Sequence, residues 1–504
     1  MIVLAAGLLV RLVSLDVPPL GFHPARQYRS ALIARANSPA AQRAFSPAER
    51  VAARRMAQAQ EEIEPEIMEA VAVAAYGVIG REDLRAPRLV SILAWLVGAV
   101  SMTWLLRLAG TGRTFEIGAM VFTLFAPFGV DASRAFMPDP LMVGLTMAAL
   151  ALTFRHHCRP SAFWAVLRVI VAGAAIYVKP MAGFVIAPAV LALDVTRLGA
   201  WRGLLVAGLT MATAAVPGAA HYVTLIASGN PVAENRIFLD LWMRPAFWAR
   251  WLERMREVAG IPALALSAAG LWFGRGALRL LLSSTWAGYA VMGLLFTHHV
   301  STHDYYSLPL VPLAGASLAY GTRALTLRFP SYARGVAVAA ILIIGLTWLP
   351  ALTSRGYYGD VARARQAAAD YERIGDLTHH SARVVSLDLS YGFALAYHAR
   401  IVTLQLPLSY DLAIADLTGR SETSIARLAE FKGEYFIGTD RGELDAQPGL
   451  RDLLEQRHQL LDRGGASDDW RYVVYDLTGP RVPDAPAADS SARQSERPGN
   501  VRIE

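Results

Sequence analysis

The chain has 504 residues, of which 54% are hydrophobic and only 18% charged, and its mean hydropathy is +0.34. Soluble domains carry about 25% charged residues, so this composition argues for a membrane protein. The formal charge of +7 sits mostly on loop arginines, a poor footprint for nucleic acid, while a single cysteine, Cys158, excludes a disulfide framework or cysteine-based metal site and reads as a buried or inert thiol.

The chain opens with "MIVLAAGLLVRLVSL", which lacks a basic n-region and a small-residue cleavage site. A first transmembrane helix is therefore expected in place of a cleaved signal. Its fifteen residues fall short of the roughly 20 that a span needs, so tilt and neighbouring helices, or residues upstream, must complete it. Residues 16–87 are too long for a simple connector. "SALIARANSPAAQRAF" and "SPAERVAARRMAQAQEEIEPEIMEAVAVAAYGVIG" read as amphipathic helices on the membrane surface, the second started by a Ser46-Pro47 cap. Apolar stretches then recur at 88–109, 115–130, 139–154, 162–178, 181–195, 203–226, 259–273, 278–297, 305–321 and 334–352. With the first helix they make about eleven spans.

From residue 354 the charge content is that of a soluble fold. "GDVARARQAAADYERI" has a helical pattern, and "ARVVSLDL", "IVTLQL", "EYFIGTD" and "WRYVVYDL" read as strands. The expected fold class is a polytopic α-helical membrane protein carrying a small C-terminal extracytoplasmic α/β domain. Its expected division is 1–353 for the membrane domain, 354–477 for the α/β domain and 478–504 for a Pro/Ala/Ser-rich disordered tail.

With a cytoplasmic amino terminus, one set of loops, "RLAGTGRT", "RHHCRPS", "DVTRLGAWR", "GRGALR" and "GTRALTLRFPSYAR", is short and Arg-rich, as the cytoplasmic side of a membrane protein is expected to be. The opposite set holds nearly all the carboxylates and histidines. It also holds Lys179 in "AAIYVKPMAGF", one of only two lysines among 48 Lys plus Arg. Where this chain needs only positive charge it uses arginine, so an ammonium at 179 is either a snorkelling helix end or a chosen point charge. The same face presents His23, Arg26 and Gln27, then Glu62, Glu64 and Glu66, then Asp131, Arg134 and Asp139, and finally His298, His299, His303, Asp304, Tyr305 and Tyr306.

Carboxylates beside cations at a membrane surface suit glycosyl transfer from a lipid phosphate. A carboxylate takes the acceptor's proton, the transition state is oxocarbenium-like, and fixed cations stabilise the departing phosphate. An ammonium suits a phosphate that does not need bidentate geometry. The bland readings are a helix cap for Asp139, a headgroup anchor for Arg134, a solvated face for the glutamates and an aromatic belt for the tyrosines. "HHVSTHD" places metal-ligand types close together, but its spacing matches no strict pattern. No metal ligand and no cofactor is therefore assigned, and a divalent cation stays open.

Five motifs carry a resemblance: "RLVSLDVPPLGFHPARQYRSALIAR", "IEPEIMEAVAVAAYGVIGREDLRAPRLVSIL", "SRAFMPDPLM", "YVKPMAGFVIAP" and "THDYYSLPLVP". In this order, over roughly residues 8–320, the chain resembles GT-C type glycosyltransferases. It is most similar to family 39 protein-mannosyltransferase-like and aminoarabinose-transferase-like bacterial membrane proteins. The resemblance implies a polyprenyl-phosphate sugar donor and an acceptor hydroxyl on a glycan, lipid or protein, with inversion of a hexosyl or pentosyl group. It implies Glu64 and Asp139 as base or sugar anchor, and Arg26, Gln27, Arg134, Lys179, His303, Asp304 and Tyr306 around the donor. Many relatives carry an Asp-Glu pair in the first loop. Here that stretch reads His23-Pro24-Ala25-Arg26-Gln27, and Glu64 is the expected substitute. The rival readings are a flippase for lipid-linked sugars, which would place polar groups near the bilayer midplane, and an idle membrane scaffold.

Overall fold

A computed structural model describes residues 1–60, 62–229, 238–354, 358–412, 423–466 and 469–479. Beyond Gly479 the expected disordered tail lies outside the described residues. The chain divides into two units, Met1–His380 with Phe393–Val402, and Ser381–Gly392 with Thr403 onward.

The first unit is helical. An apolar helix occupies each stretch read from the sequence: α1 (Ile2–Leu12), α5 (Arg85–Leu108), α6 (Arg113–Phe125), α8 (Asp139–Cys158), α9 (Ala162–Val178), α10 (Met181–Leu198), α11 (Ala200–Ala227), α13 (Ile261–Phe273), α14 (Ala277–Leu295), α16 (Leu310–Arg328) and α17 (Ala333–Ser354). Shorter helices lie between them: α2 (Pro24–Asn37), α3 (Pro47–Gln58), α4 (Ile67–Ile79), α7 (Pro127–Ala132), α12 (Pro245–Ala259) and α15 (Thr297–Thr302). Among the described residues, four helices (α5, α10, α11 and α14) are long and apolar enough to cross a membrane alone. A fifth follows if the bent pair Asp304–Arg328 and Pro330–Leu346 is one span. The protein is thus multi-pass, with several of its apolar helices shorter than a bilayer core.

Close helix contacts use small residues, as membrane interfaces do. Helices α5 and α8 meet where a Cβ on Gly144 would lie 2.3 Å from the Ala94 carbonyl oxygen. Helices α13 and α16 meet where a Cβ on Gly270 would lie 2.4 Å from the Cα of Gly321. A buried ion pair ties α9 to α10: Arg168 donates to both oxygens of Asp194, at 3.0 and 2.8 Å, and also to the Thr210 hydroxyl of α11. Cys158, expected to be buried or inert, is exposed at the end of α8.

Helices α2 to α4 form the layer that the sequence assigns to the membrane surface. The Ser46 cap is present as a full capping box, with Ser46 Oγ accepting from the Glu49 amide and Glu49 accepting from that of Ser46. Helix α2 is not a one-sided surface helix, however. Every residue from Gln27 to Arg35 is buried, because α2 is packed by α3, α4 and α19 (Phe393–Ala399). Tyr28, Leu32, Met56, Met68, Tyr76 and Tyr397 share that core. Helix α18 (Val361–Leu377), read with the α/β domain, groups with this first unit through α19.

The second unit contains a five-stranded sheet of order β2-β1-β3-β5-β4. Strands β1 (Val384–Leu387), β2 (Thr403–Gln405) and β3 (Tyr435–Gly438) pair in parallel, and β5 (Asp469–Asp476) is antiparallel to β3 and to β4 (Gln459–Ala466). Val385, Leu387, Phe436, Val473 and Tyr475 build its core. Strand β4 escapes sequence reading because two register irregularities and Gly464-Gly465 break its alternation. A Cβ on Gly464 would sit 2.2 Å from the Tyr472 ring.

Candidate active site

Lys179 stands between α9 and α10 because the next residue is Pro180. A residue before proline is driven out of the helical region. Lys179 is accordingly extended, at φ −159° and ψ 121°, and α9 stops at Val178. Asp139, flanked by Pro138 and Pro140, is the first residue of α8, where a helix N-terminus favours an anion. Helices α8 and α9 are antiparallel neighbours, so these two residues meet at one end of the bundle. The Lys179 ammonium donates to Asp139 Oδ1 at 2.7 Å, and both side chains are buried. Lys179 does not snorkel, and Asp139 makes no capping bond. Asp139 Oδ2 is buried with no partner among the described residues.

The start of α2 supplies Arg26, whose guanidinium pairs with Glu64 from the segment before α4. Gln27 is a clamp: its amide donates to the Phe22 carbonyl, and its oxygen accepts from the Phe136 amide at 2.9 Å. The loop before α2 is thereby tied to the segment leading into α8. From the α15–α16 side come Tyr305 and Tyr306, whose ring centres lie 5.0 and 4.5 Å from the Lys179 ammonium, within cation–π range. Phe22, Ala135, Met137 and the two tyrosines form a small apolar cluster.

Electrostatics bind these groups into one unit. Burial opposes the charge on Lys179, but Asp139 and then Glu64 outweigh it and hold the ammonium above the ordinary lysine value. Burial works against ionised Glu64 too, yet Arg26, Lys179 and Arg29 keep its carboxyl below the usual range. Arg26 is likewise held above its ordinary value, the attraction of Glu64 overcoming burial. The site is therefore charged at neutral pH and largely closed to water.

Not every expected residue joins this cluster. The Arg134 guanidinium donates to the Arg11 carbonyl at 3.0 Å and to that of Val13, and stacks on Tyr358. It thus holds the C-terminal end of α1. His303 takes a bond with the Thr302 hydroxyl at 2.7 Å and is pushed down to about 4 by burial, then by His23 and His298, so it is neutral at pH 7. Asp304 is paired with His23 Nε2 at 2.6 Å. Among the described residues no three His, Cys, Asp or Glu side chains are grouped so as to hold a metal. The sequence reading placed Tyr305 and His23 on this face but assigned neither a role in the site. Their adjacency to Tyr306 and to Arg26 was the available signal.

No family model matches the chain, and no curated protein sequence does. Solved structures do. ArnT from Cupriavidus metallidurans bound to undecaprenyl phosphate is 16% identical over 95% of this chain and 99% of that one, with a TM-score of 0.59. Its apo state is 18% identical over 95% and 98%, also at 0.59. The oligosaccharyltransferase of Archaeoglobus fulgidus, in complex with zinc and sulfate, is 12% identical over 91% of this chain and 71% of that one, with a TM-score of 0.54. At these identities the likeness is one of fold: the chain folds as ArnT from Cupriavidus metallidurans and the Archaeoglobus fulgidus oligosaccharyltransferase do.

Proposed function

We propose that this protein is an inner-membrane glycosyltransferase that moves a hexosyl or pentosyl group from a polyprenyl phosphate to a hydroxyl of an envelope glycan, lipid or protein. The site would face the extracytoplasmic side. The observation that carries the reading is the convergence of Lys179–Asp139 and Arg26–Glu64 at one end of a GT-C bundle, a fold in which ArnT has been seen with undecaprenyl phosphate bound.

The residue types match the charge changes of such a transfer. The donor phosphodiester carries one negative charge, and the leaving polyprenyl phosphate gains a second. Lys179 and Arg26 are fixed cations in a dry site, where they stabilise that gain without first reorganising water. The anomeric carbon becomes oxocarbenium-like. The unpartnered Asp139 Oδ2 and the Glu64 carboxylate suit that positive charge and the sugar hydroxyls. A single displacement of this kind inverts the anomeric carbon. The carboxylates neutralise two buried cations, so an arriving donor phosphate has only to compete for charges already in place.

Mass spectrometry of envelope glycans, lipids and proteins from cells with and without the gene tests the proposal. A monosaccharide lost on deletion and restored by the wild-type gene, but not by Lys179→Ala, is the expected result. An unchanged profile, together with lipid translocation in proteoliposomes, would favour the flippase instead.

A further inference from the structure

The two carboxylates of the donor site are both engaged by cations, and Glu64 is held below the ordinary carboxyl range. Neither is well placed to accept the proton of an incoming hydroxyl. Next to them lies a different pair. His23 Nε2 is 2.6 Å from Asp304 Oδ1. A carboxylate only accepts, so Nε2 carries the proton and the lone pair is on Nδ1. No described group bonds Nδ1, and 27% of the His23 side chain is accessible. One ring separates the pair from the donor site: Tyr305 lies 4.8 Å from the His23 ring, centre to centre, and 5.0 Å from the Lys179 ammonium.

The backbone is unusual as well. His23 sits in the left-handed region at φ 42°, ψ 57°, immediately before α2. A non-glycine residue there costs about 1 kcal/mol or more and persists only where its surroundings hold it. Here the Asp304 bond and the edge-on rings of Phe22 and Tyr305 do so. An acidic side chain that orients one imidazole nitrogen while leaving the other free is the arrangement of a general base.

We infer that His23, positioned by Asp304, is the general base for the acceptor hydroxyl. This rests on the transferase reading above. As the acceptor oxygen bonds to the anomeric carbon, its O–H bond breaks and the proton goes to His23 Nδ1. The C–O bond to the lipid phosphate breaks with its electron pair, leaving polyprenyl phosphate. The imidazolium then loses its proton to water. The charged and titratable groups around the dyad are Arg26 of α2, Arg254 of α12, His298 of α15, His303 and Tyr305.

The test uses full-length protein in nanodiscs, with undecaprenyl phosphate carrying the monosaccharide that the deletion strain lacks as donor and the deletion strain's envelope as acceptor. Undecaprenyl phosphate binding serves as the fold control. His23→Asn is expected to bind this lipid as wild type does and to lose about 10²–10⁴ in kcat. The wild-type rate should rise with pH along a limb set by the base. His23→Asp should recover part of the rate with the limb moved to lower pH, a carboxyl being the stronger acid. Asp304→Asn should shift the limb and lower kcat with little change in donor KM. Transfer by His23→Asn within threefold of wild type, or an unmoved limb in His23→Asp, overturns the inference and leaves the transferase reading standing. Absence of transfer by wild type overturns both.

Discussion

The Lys179–Asp139 contact makes a sharp prediction, because it separates a structural ion pair from a working one. Both side chains are buried, and Lys179 is the only described partner of the aspartate. Lys179→Met therefore leaves a buried carboxylate unpaired, which costs about 3–5 kcal/mol. Asp139→Asn alone strands the ammonium, although Glu64 still offsets part of its charge, so a smaller loss is expected. The double variant Lys179→Met/Asp139→Asn removes both charges. Replacing a buried pair by neutral groups is often close to neutral, so it should recover most of the lost stability. Function should follow the opposite pattern. Undecaprenyl phosphate binding and sugar transfer should fail in Lys179→Met and stay failed in the double variant, since the phosphate has lost its ammonium. SDS-induced unfolding of the four proteins gives the stability cycle, and lipid binding gives the second readout. A double variant that regains donor binding would refute the reasoning, as would a Lys179→Met protein as stable as wild type.

Other consequences follow from single contacts. The Glu64 carboxyl is held below its ordinary value, burial opposing and Arg26 prevailing. Its stabilisation is thus complete above about pH 5 and lost as pH falls through the depressed folded value. Acid unfolding of wild type should show this loss and Glu64→Gln should not, and coincident curves would remove the pair from the account. Gly144→Ala places a methyl 2.3 Å from the Ala94 carbonyl oxygen and should cost about 1–3 kcal/mol, whereas Gly118→Ala, with nothing within 4 Å, should be neutral or mildly stabilising; thermal shift in detergent compares them. Arg134→Ala should lower stability by about 1.5–3 kcal/mol through loss of its bonds to the Arg11 and Val13 carbonyls. Its undecaprenyl phosphate affinity should stay near wild type, and a tenfold loss of affinity with unchanged stability would return Arg134 to the donor site.

Apolar runs and their Arg-rich gaps were readable in one dimension, because a helix in lipid must satisfy its own backbone and show hydrocarbon-compatible side chains along its length. That is why each apolar stretch became a helix, and why Lys179, Glu64, Arg26 and Asp139 could be named from their common side. The alternating strands β1, β2, β3 and β5 were legible for a similar reason, whereas β4, with its irregular register and paired glycines, was not. What the one-dimensional pattern left open was partner choice. Arg134 and Arg26 look alike in sequence. One meets backbone carbonyls at the end of α1 and the other a carboxylate, a difference set by helix packing across more than a hundred residues. Helix α2 reads as one-sided until α19, some 360 residues away, covers its second face. The His23–Asp304 pair spans 281 residues of sequence, and only the folded chain brings that imidazole to a carboxylate, since side-chain charge is written locally but its neighbours are chosen by tertiary contact.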